Sequence, residues 1–242
     1  MLDLFLSLSQ RDMIVAYVVL FFFIYIVMVP FVTEVAVTEG AKIMSPRKLV
    51  WVCLVHSTIA VIGACYVIFN TDPGSDPMAL VPSASKPFLR CTLGYLVFDV
   101  LFMTWNRKNV PLESTVMVHH ANTFFAIFIA DYYNVGLYFC GYLALNEASS
   151  IPMHLMRLTS SRTLKSVLKI VFAIFFLVFR TIMLPALLYY MEMNCITTSS
   201  VDMSVIQMER KSFYLHLAIN WYWTYMVVKM AMKPKAVKSK EK

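Results

Sequence analysis

Apolar residues in this chain come in long blocks, not in the alternation of a strand or the one-sided stripe of a water-exposed helix. Seven blocks approach the ~20 residues that an α-helix needs to cross a bilayer. They are Met13–Val32, Leu49–Phe69, Phe88–Trp105, Val116–Tyr133, Val135–Met156, Val167–Met191 and Phe213–Met232. The first ends near Pro30, and the turn-rich Asn70-Thr71-Asp72-Pro73-Gly74 closes the second. The fourth is interrupted by His119 and His120, and the fifth by Asn146 and Glu147. The seventh is diluted by polar residues, and the sixth carries Arg180 and Pro185. No internal repeat is evident. The pattern predicts an all-α, polytopic membrane protein with about seven transmembrane helices.

Composition agrees and excludes other classes. Hydrophobic residues make up 60% of the 242 and charged residues 14%, against roughly 25% charged in ordinary water-soluble domains. A soluble enzyme, a disordered chain and a disulfide-stapled secreted domain are all excluded. Cys53, Cys65, Cys91 and Cys140 lie in apolar runs and Cys195 in a connecting loop, without metal-binding spacing; they read as packing thiols. The N-terminus lacks a basic region before its first apolar run, so that run reads as a retained helix.

The net charge of +7 is distributed as membrane-flanking charge, with no basic stripe suited to nucleic acid. Basic residues concentrate in alternate connections: Lys42, Arg47 and Lys48; Arg107 and Lys108; Arg157, Arg162 and Lys165; and the tail after Lys229. The intervening connections hold Lys86 with Arg90 nearby, none around Asp131 and Asn134, and Arg210 with Lys211. By the positive-inside rule the N-terminus is lumenal and the C-terminus cytosolic. Lys238 and Lys240 stand fifth and third from the end, matching a dilysine signal for retrieval to the endoplasmic reticulum by its coat.

Asp99, His119, His120, Glu147, Arg180 and Asn220 all fall within spans. An unpaired ionisable group near the bilayer centre costs roughly 3 kcal/mol or more. These faces must therefore turn towards one another, and Arg180 should pair with Asp99 or Glu147. At helical spacing Thr115, His119, Asn122, Thr123, Ala126 and Ala130 share one stripe, with Met117, Phe124 and Phe128 opposite, towards lipid. His120 lies about 100° round from His119, towards a neighbouring helix. Thr92, Tyr95, Asp99 and Asn106 share a face, as do Glu147, Ser150 and His154, and as do His216, Asn220 and Trp223. Together they predict a polar-lined interior, with the histidine pair about one turn, or ~6 Å, below the cytosolic surface.

His119-His120-Ala121-Asn122-Thr123 resembles the His-His-x-x-Thr start in the TLC (TRAM/Lag/CLN-type) domain family. At the spacing of the family's ceramide synthases, their following His-Asp pair falls on Asn146-Glu147 and their next aspartate on Ser150. Only Glu147 keeps a carboxylate, which argues against a ceramide synthase proper. Asp99, Arg180 and the aromatic Trp221-Tyr222-Trp223 fit the looser family pattern, so the chain looks like a small, non-ceramide-synthase TLC protein. The resemblance would span residues 47–233, with a first helix and cytosolic loop in 1–46 and a basic cytosolic tail in 234–242.

The resemblance implies six helices ringed around a cavity, with the first helix outside. It also implies acyl chemistry in the endoplasmic reticulum membrane, in which a histidine takes an acyl group from acyl-CoA as co-substrate and passes it to an amine or hydroxyl. Neutral imidazole is a good nucleophile at cytosolic pH, and a carboxylate on its other nitrogen would fix its tautomer. His119 is expected to attack or transfer a proton, His120 and Asp99 to orient it, and Glu147 to act as base. Arg180 is expected to hold a carboxylate or phosphate. Asn220, Trp221, Trp223, Tyr95, Asn122, Thr123 and Ser150 would line the substrate site, with no metal or other cofactor. The alternative is a non-enzymatic lipid-binding protein that regulates membrane composition or cargo export. A seven-span receptor fits the helix count but not the histidine pair or the dilysine tail.

Overall fold

The computed structural model describes residues 9–27, 47–72, 74, 76–82, 85–106, 113–195 and 199–232. Helices account for every regular element among them. α1 is Gln10–Val27, α2 Arg47–Phe69, α3 Ser85–Trp105 and α4 Ser114–Tyr133. The fifth apolar block is not one regular helix. α5 (Leu137–Ala144) tightens into a 3-10 turn at Leu145–Ser149 before resuming as α6 (Ser150–Leu158). The sixth block runs as α7 (Arg162–Phe175), a π-helical stretch at Phe176–Met183, and α8 (Leu184–Asn194). α9 (Met203–Ala231) starts well before the apolar run at Phe213. Asp202 caps it by accepting from Ser204 N at 2.7 Å, and Val205 and Ile206 of its first turns are buried.

Two prolines account for the irregular stretches. A proline lacks the N–H that would bond the carbonyl four residues back, and its ring crowds that carbonyl. Pro152 lies four residues after Ala148 in the 3-10 turn, and Pro185 four after Thr181 in the π stretch. The two irregular stretches pack against one another.

Helix contacts run from α2 to α3, α4 and α9, on to the π stretch and α7, then to α6 and α5 and back to α2. α1 lies outside this circuit against α3, where Gly94 admits Tyr17 so closely that a Cβ on Gly94 would sit 2.4 Å from Tyr17 Cβ. Phe21, Val52, Tyr95, Phe98 and Phe102 form the core between α1, α2 and α3. By length and composition Leu49–Phe69, Ser85–Trp105 and Arg162–Met193 are the helices able to cross a membrane among the described residues. The other apolar blocks fall short of that standard, so seven crossings stay an expectation from hydropathy.

Three of the connections are tied to one another by hydrogen bonds. Gly136, at φ 65°, donates its N–H to Met78 O at 2.8 Å, tying the α4–α5 turn to the α2–α3 connection. Asp76 accepts from Ser200 N at 2.8 Å and from both Ser199 and Ser200 hydroxyls, tying in the α8–α9 connection. Burial pushes the Asp76 carboxyl up, but these donors outweigh it and hold it below the ordinary carboxylate value. All three connections therefore gather at one end.

The lipid-facing stripe of α4 differs from the one expected. Val118, Phe125, Phe128 and Tyr132 are exposed, whereas Met117 and Phe124 pack against the α1–α3 core. α3 packs against α4 on that side, which a single-helix stripe does not reveal. Asp131 is likewise no loop residue. It is buried in the last turn of α4, and Arg90 binds it with both Nε (2.7 Å) and Nη2 (3.1 Å).

Candidate active site

All five histidines of the chain are buried in the interior of the circuit: His56, His119, His120, His154 and His216. α4 presents His119 and His120 from one turn. His120 Nε2 meets Asp99 Oδ2 of α3 at 2.8 Å. An ionised carboxylate accepts the proton on Nε2, which leaves Nδ1 as the basic nitrogen, and Nδ1 is buried without a hydrogen-bond partner. His119 has a similarly unpartnered Nδ1. Its ring lies 5.8 Å from that of His120, 4.9 Å from His216 and 5.0 Å from Trp223. The carboxylate thus belongs to His120. Asp99 was expected to orient His119, but it bears on His119 only through its neighbour, because the two rings leave α4 about 100° apart.

A second polar group surrounds Arg180 on the π stretch. Its Nε donates to Ser149 Oγ at 2.8 Å, Nη1 to Asn220 Oδ1 at 3.1 Å and Nη2 to Ser150 Oγ at 3.4 Å. Glu147 Oε1 stands 3.8 Å from Nη2 and supplies the countercharge, while Ser57 Oγ donates to Glu147 Oε2 at 2.9 Å. Phe176 and Trp223 flank the guanidinium, each 5.6 Å from its carbon. Of the two carboxylates proposed for Arg180, Glu147 is the partner and Asp99 is not. The 3-10 turn makes this possible by placing Asn146, Glu147 and Ser149 opposite the widened π turn.

Asn146 and Asn220 join the two groups. Asn146 Nδ2 lies 3.1 Å from His216 Nε2, and Asn220 donates to the His216 carbonyl at 2.8 Å. The expected lining residues divide accordingly. Asp99, His119, His120, Glu147, Ser150, Arg180, Asn220 and Trp223 come together. Trp221 does not: it is 53% exposed, on the outer face of α9. Tyr95 stacks on His56, with ring centres 3.7 Å apart, and donates its hydroxyl to Cys53. Asn122 is engaged with Ser212 in the α4–α9 seam, and the Thr123 hydroxyl is buried without a partner.

His56, Ser57 and Ser149 were missed, and His216 and His154 were seen only as stripe members. Their signal was available: every histidine of the chain lies in an apolar run, and buried imidazoles there must find one another or a hydroxyl. His56 does so with Thr92 at 3.4 Å.

No curated protein and no solved structure matches the chain. The TLC domain matches residues 48–229, which contain every residue of the polar centre. The chain therefore belongs to the TLC-domain family of membrane proteins.

Proposed function

We propose that this protein acts on acyl lipids in the endoplasmic reticulum membrane, as an acyltransferase whose proton-transfer group is the His120–Asp99 dyad. The observation that carries the reading is the buried imidazole with one nitrogen on a carboxylate at 2.8 Å and the other free. Such a histidine is held in one tautomer and is stabilised when it takes a proton. His119, beside it, would attack the carbonyl of an acyl-CoA thioester. The C–S bond breaks, and coenzyme A leaves with the proton that His119 sheds. An amine or hydroxyl of the acceptor then attacks the acyl-imidazole; the acyl–nitrogen bond breaks, and the acceptor's proton passes by way of His120 to His119, which restores both neutral imidazoles. Glu147 fits a role as countercharge to Arg180 better than one as base. Seven crossings, with six of the spans around the polar centre and the C-terminus in the cytosol, complete this reading; Lys238 and Lys240 lie outside the described residues.

His119→Ala and His120→Gln, the latter keeping a donor for Asp99, should each keep normal abundance and abolish the protein's effect on cellular acyl lipids, measured by lipid mass spectrometry. Wild-type lipid profiles with well-folded His120→Gln protein would reject the dyad. A second reading, a lipid-binding protein without turnover, is favoured by Arg180, each of whose three guanidinium nitrogens is engaged within the chain. Incubation with acyl-CoA separates the two: a covalent acyl-His119 adduct belongs only to the enzyme.

A further inference from the structure

Among the described residues, Glu209 is the interior acid that the fold leaves without a partner. Asp99 has His120, Asp131 has Arg90, and Glu147 has Arg180 and Ser57. Glu209 lies in the first half of α9, is 1% exposed, and has both carboxyl oxygens buried without a hydrogen bond. Its stem lies beside the α4–α5 turn, where a Cβ on Gly136 would stand 3.9 Å from Glu209 Cγ and 3.8 Å from Met78 Cε. Ile206 and Phe213, one turn to either side of it, pack into one apolar core with Met78 and Phe139.

No neighbouring cation makes up for the missing donors. On α4, Asp131 is a second acid, and Lys86 and Arg90 are already bound to it. On α5, Cys140 stands within the field of both acids, and a thiol carries no positive charge. The Tyr138 and Tyr142 hydroxyls are bonded to each other at 3.1 Å. On α8, Glu192 is a further acid and holds Arg210. Arg180 on the π stretch is engaged by Glu147, Ser149, Ser150 and Asn220. On α9 itself Lys211 is exposed, and His216, two turns on, meets Asn146. A carboxylate here would lose its hydration with nothing in exchange, whereas the neutral acid forgoes only hydrogen bonds.

We propose that Glu209 is a proton-binding site that locks α9 against α4. Glu209, Ser212 and His216 follow one another at three- and four-residue spacing on one face of α9. Ser212 holds Asn122 of α4 through two hydrogen bonds of 3.0 Å each. With its proton, Glu209 stays packed and this clasp stays closed. Without it, the charge must reach water or a donor, and the side chain gains either only by drawing α9 away from α4 and the Gly136 turn. The Asn122–Ser212 bonds, one turn along, are the first to be strained. The lock does not rest on the acyl-transfer reading.

Infrared spectroscopy of the full chain in detergent reads the proton directly, because a protonated carboxyl and a carboxylate absorb separately. At neutral pH the wild type should show a protonated-acid band that Glu209→Gln lacks. Glu192→Gln, which removes an ion-paired carboxylate, should keep that band. Thermal midpoints give a second readout. The folded wild type holds a proton that an exposed glutamate gives up above about pH 4.3, so its stability should fall as pH rises beyond that value. The midpoint of Glu209→Gln should therefore gain on the wild type progressively between about pH 5 and about pH 9. Glu209→Met should do the same, which keeps the comparison open if the amide variant does not fold. For the seam, spin labels at the exposed Phe125 and Leu215 positions should give a broader distance distribution at about pH 9 than at about pH 5 in the wild type, and not in Glu209→Gln. Loss of carboxylate absorption in place of the acid band, or a midpoint difference that does not change with pH, overturns the proton site. Identical distance distributions at both pH values overturn the lock.

Discussion

Arg180 shows how a full charge is kept in an apolar interior. Glu147 offsets its charge, and Ser149, Ser150 and Asn220 accept hydrogen bonds from it. Removing one partner of a buried pair costs about 3–5 kcal/mol, because the other charge is left uncompensated. Arg180→Ala should therefore strongly lower the thermal midpoint in detergent. Adding Glu147→Gln should recover part of that loss, whereas adding Asp99→Asn should not, since Asp99 belongs to His120. Equal coupling to both carboxylates would contradict the pairing. The sequence narrowed the choice to these two acids from charge balance alone. It could not choose, because charge balance does not say which helices face one another, and it is the packing of α3 against α4 that engages Asp99 with His120.

At the scale of elements, the polar centre depends on two departures from the regular α-helix. Pro152 and Pro185 were visible in the sequence, but a proline can kink, break or locally rewind a helix. Which occurs depends on what the neighbouring helix offers the freed carbonyl. Here the 3-10 turn and the π turn face each other and bring Glu147 to Arg180. The α1–α3 contact is simpler and depends on close approach. A methyl group on Gly94 would collide with Tyr17 Cβ at 2.4 Å and with its backbone carbonyl carbon at 3.1 Å. Gly94→Ala should destabilise by about 1–3 kcal/mol, the usual cost of overpacking. It should also weaken crosslinking between cysteines placed on α1 and α3. Undiminished crosslinking would show that α1 is held by other contacts.

For the whole molecule, the path of the chain makes a topological prediction. The connections around Asp76, Gly136 and Ser200 meet at one end of the structure. Single cysteines at Asn134 and Ser200 should therefore react with an impermeant reagent from the same side of sealed microsomes, and one at Ser161 from the other. A C-terminal tag should be accessible from the cytosol, as the basic connections require. Lys238→Ser with Lys240→Ser should release the protein from the endoplasmic reticulum. Protection of the tag would overturn the orientation. Unchanged location of the double variant would reduce those lysines to flanking charge.

The sequence alone determined the class of molecule, since 60% hydrophobic residues in long blocks leave only a helical membrane protein. It also determined which residues would meet, because ionisable and strongly polar groups in apolar runs must turn towards one another and away from lipid. Asp99, His119, His120, Glu147, Arg180 and Asn220 were all legible for that reason. Tertiary structure decided the pairings within that set and the outward turn of Trp221. It also recruited Ser57 and Ser149, whose side chains carry no charge demanding a partner. Helical periodicity specifies the direction of a side chain from its own axis. The rotation and depth of each axis against its neighbours come from packing, and those two quantities gave Asp99 to His120 and Glu147 to Arg180.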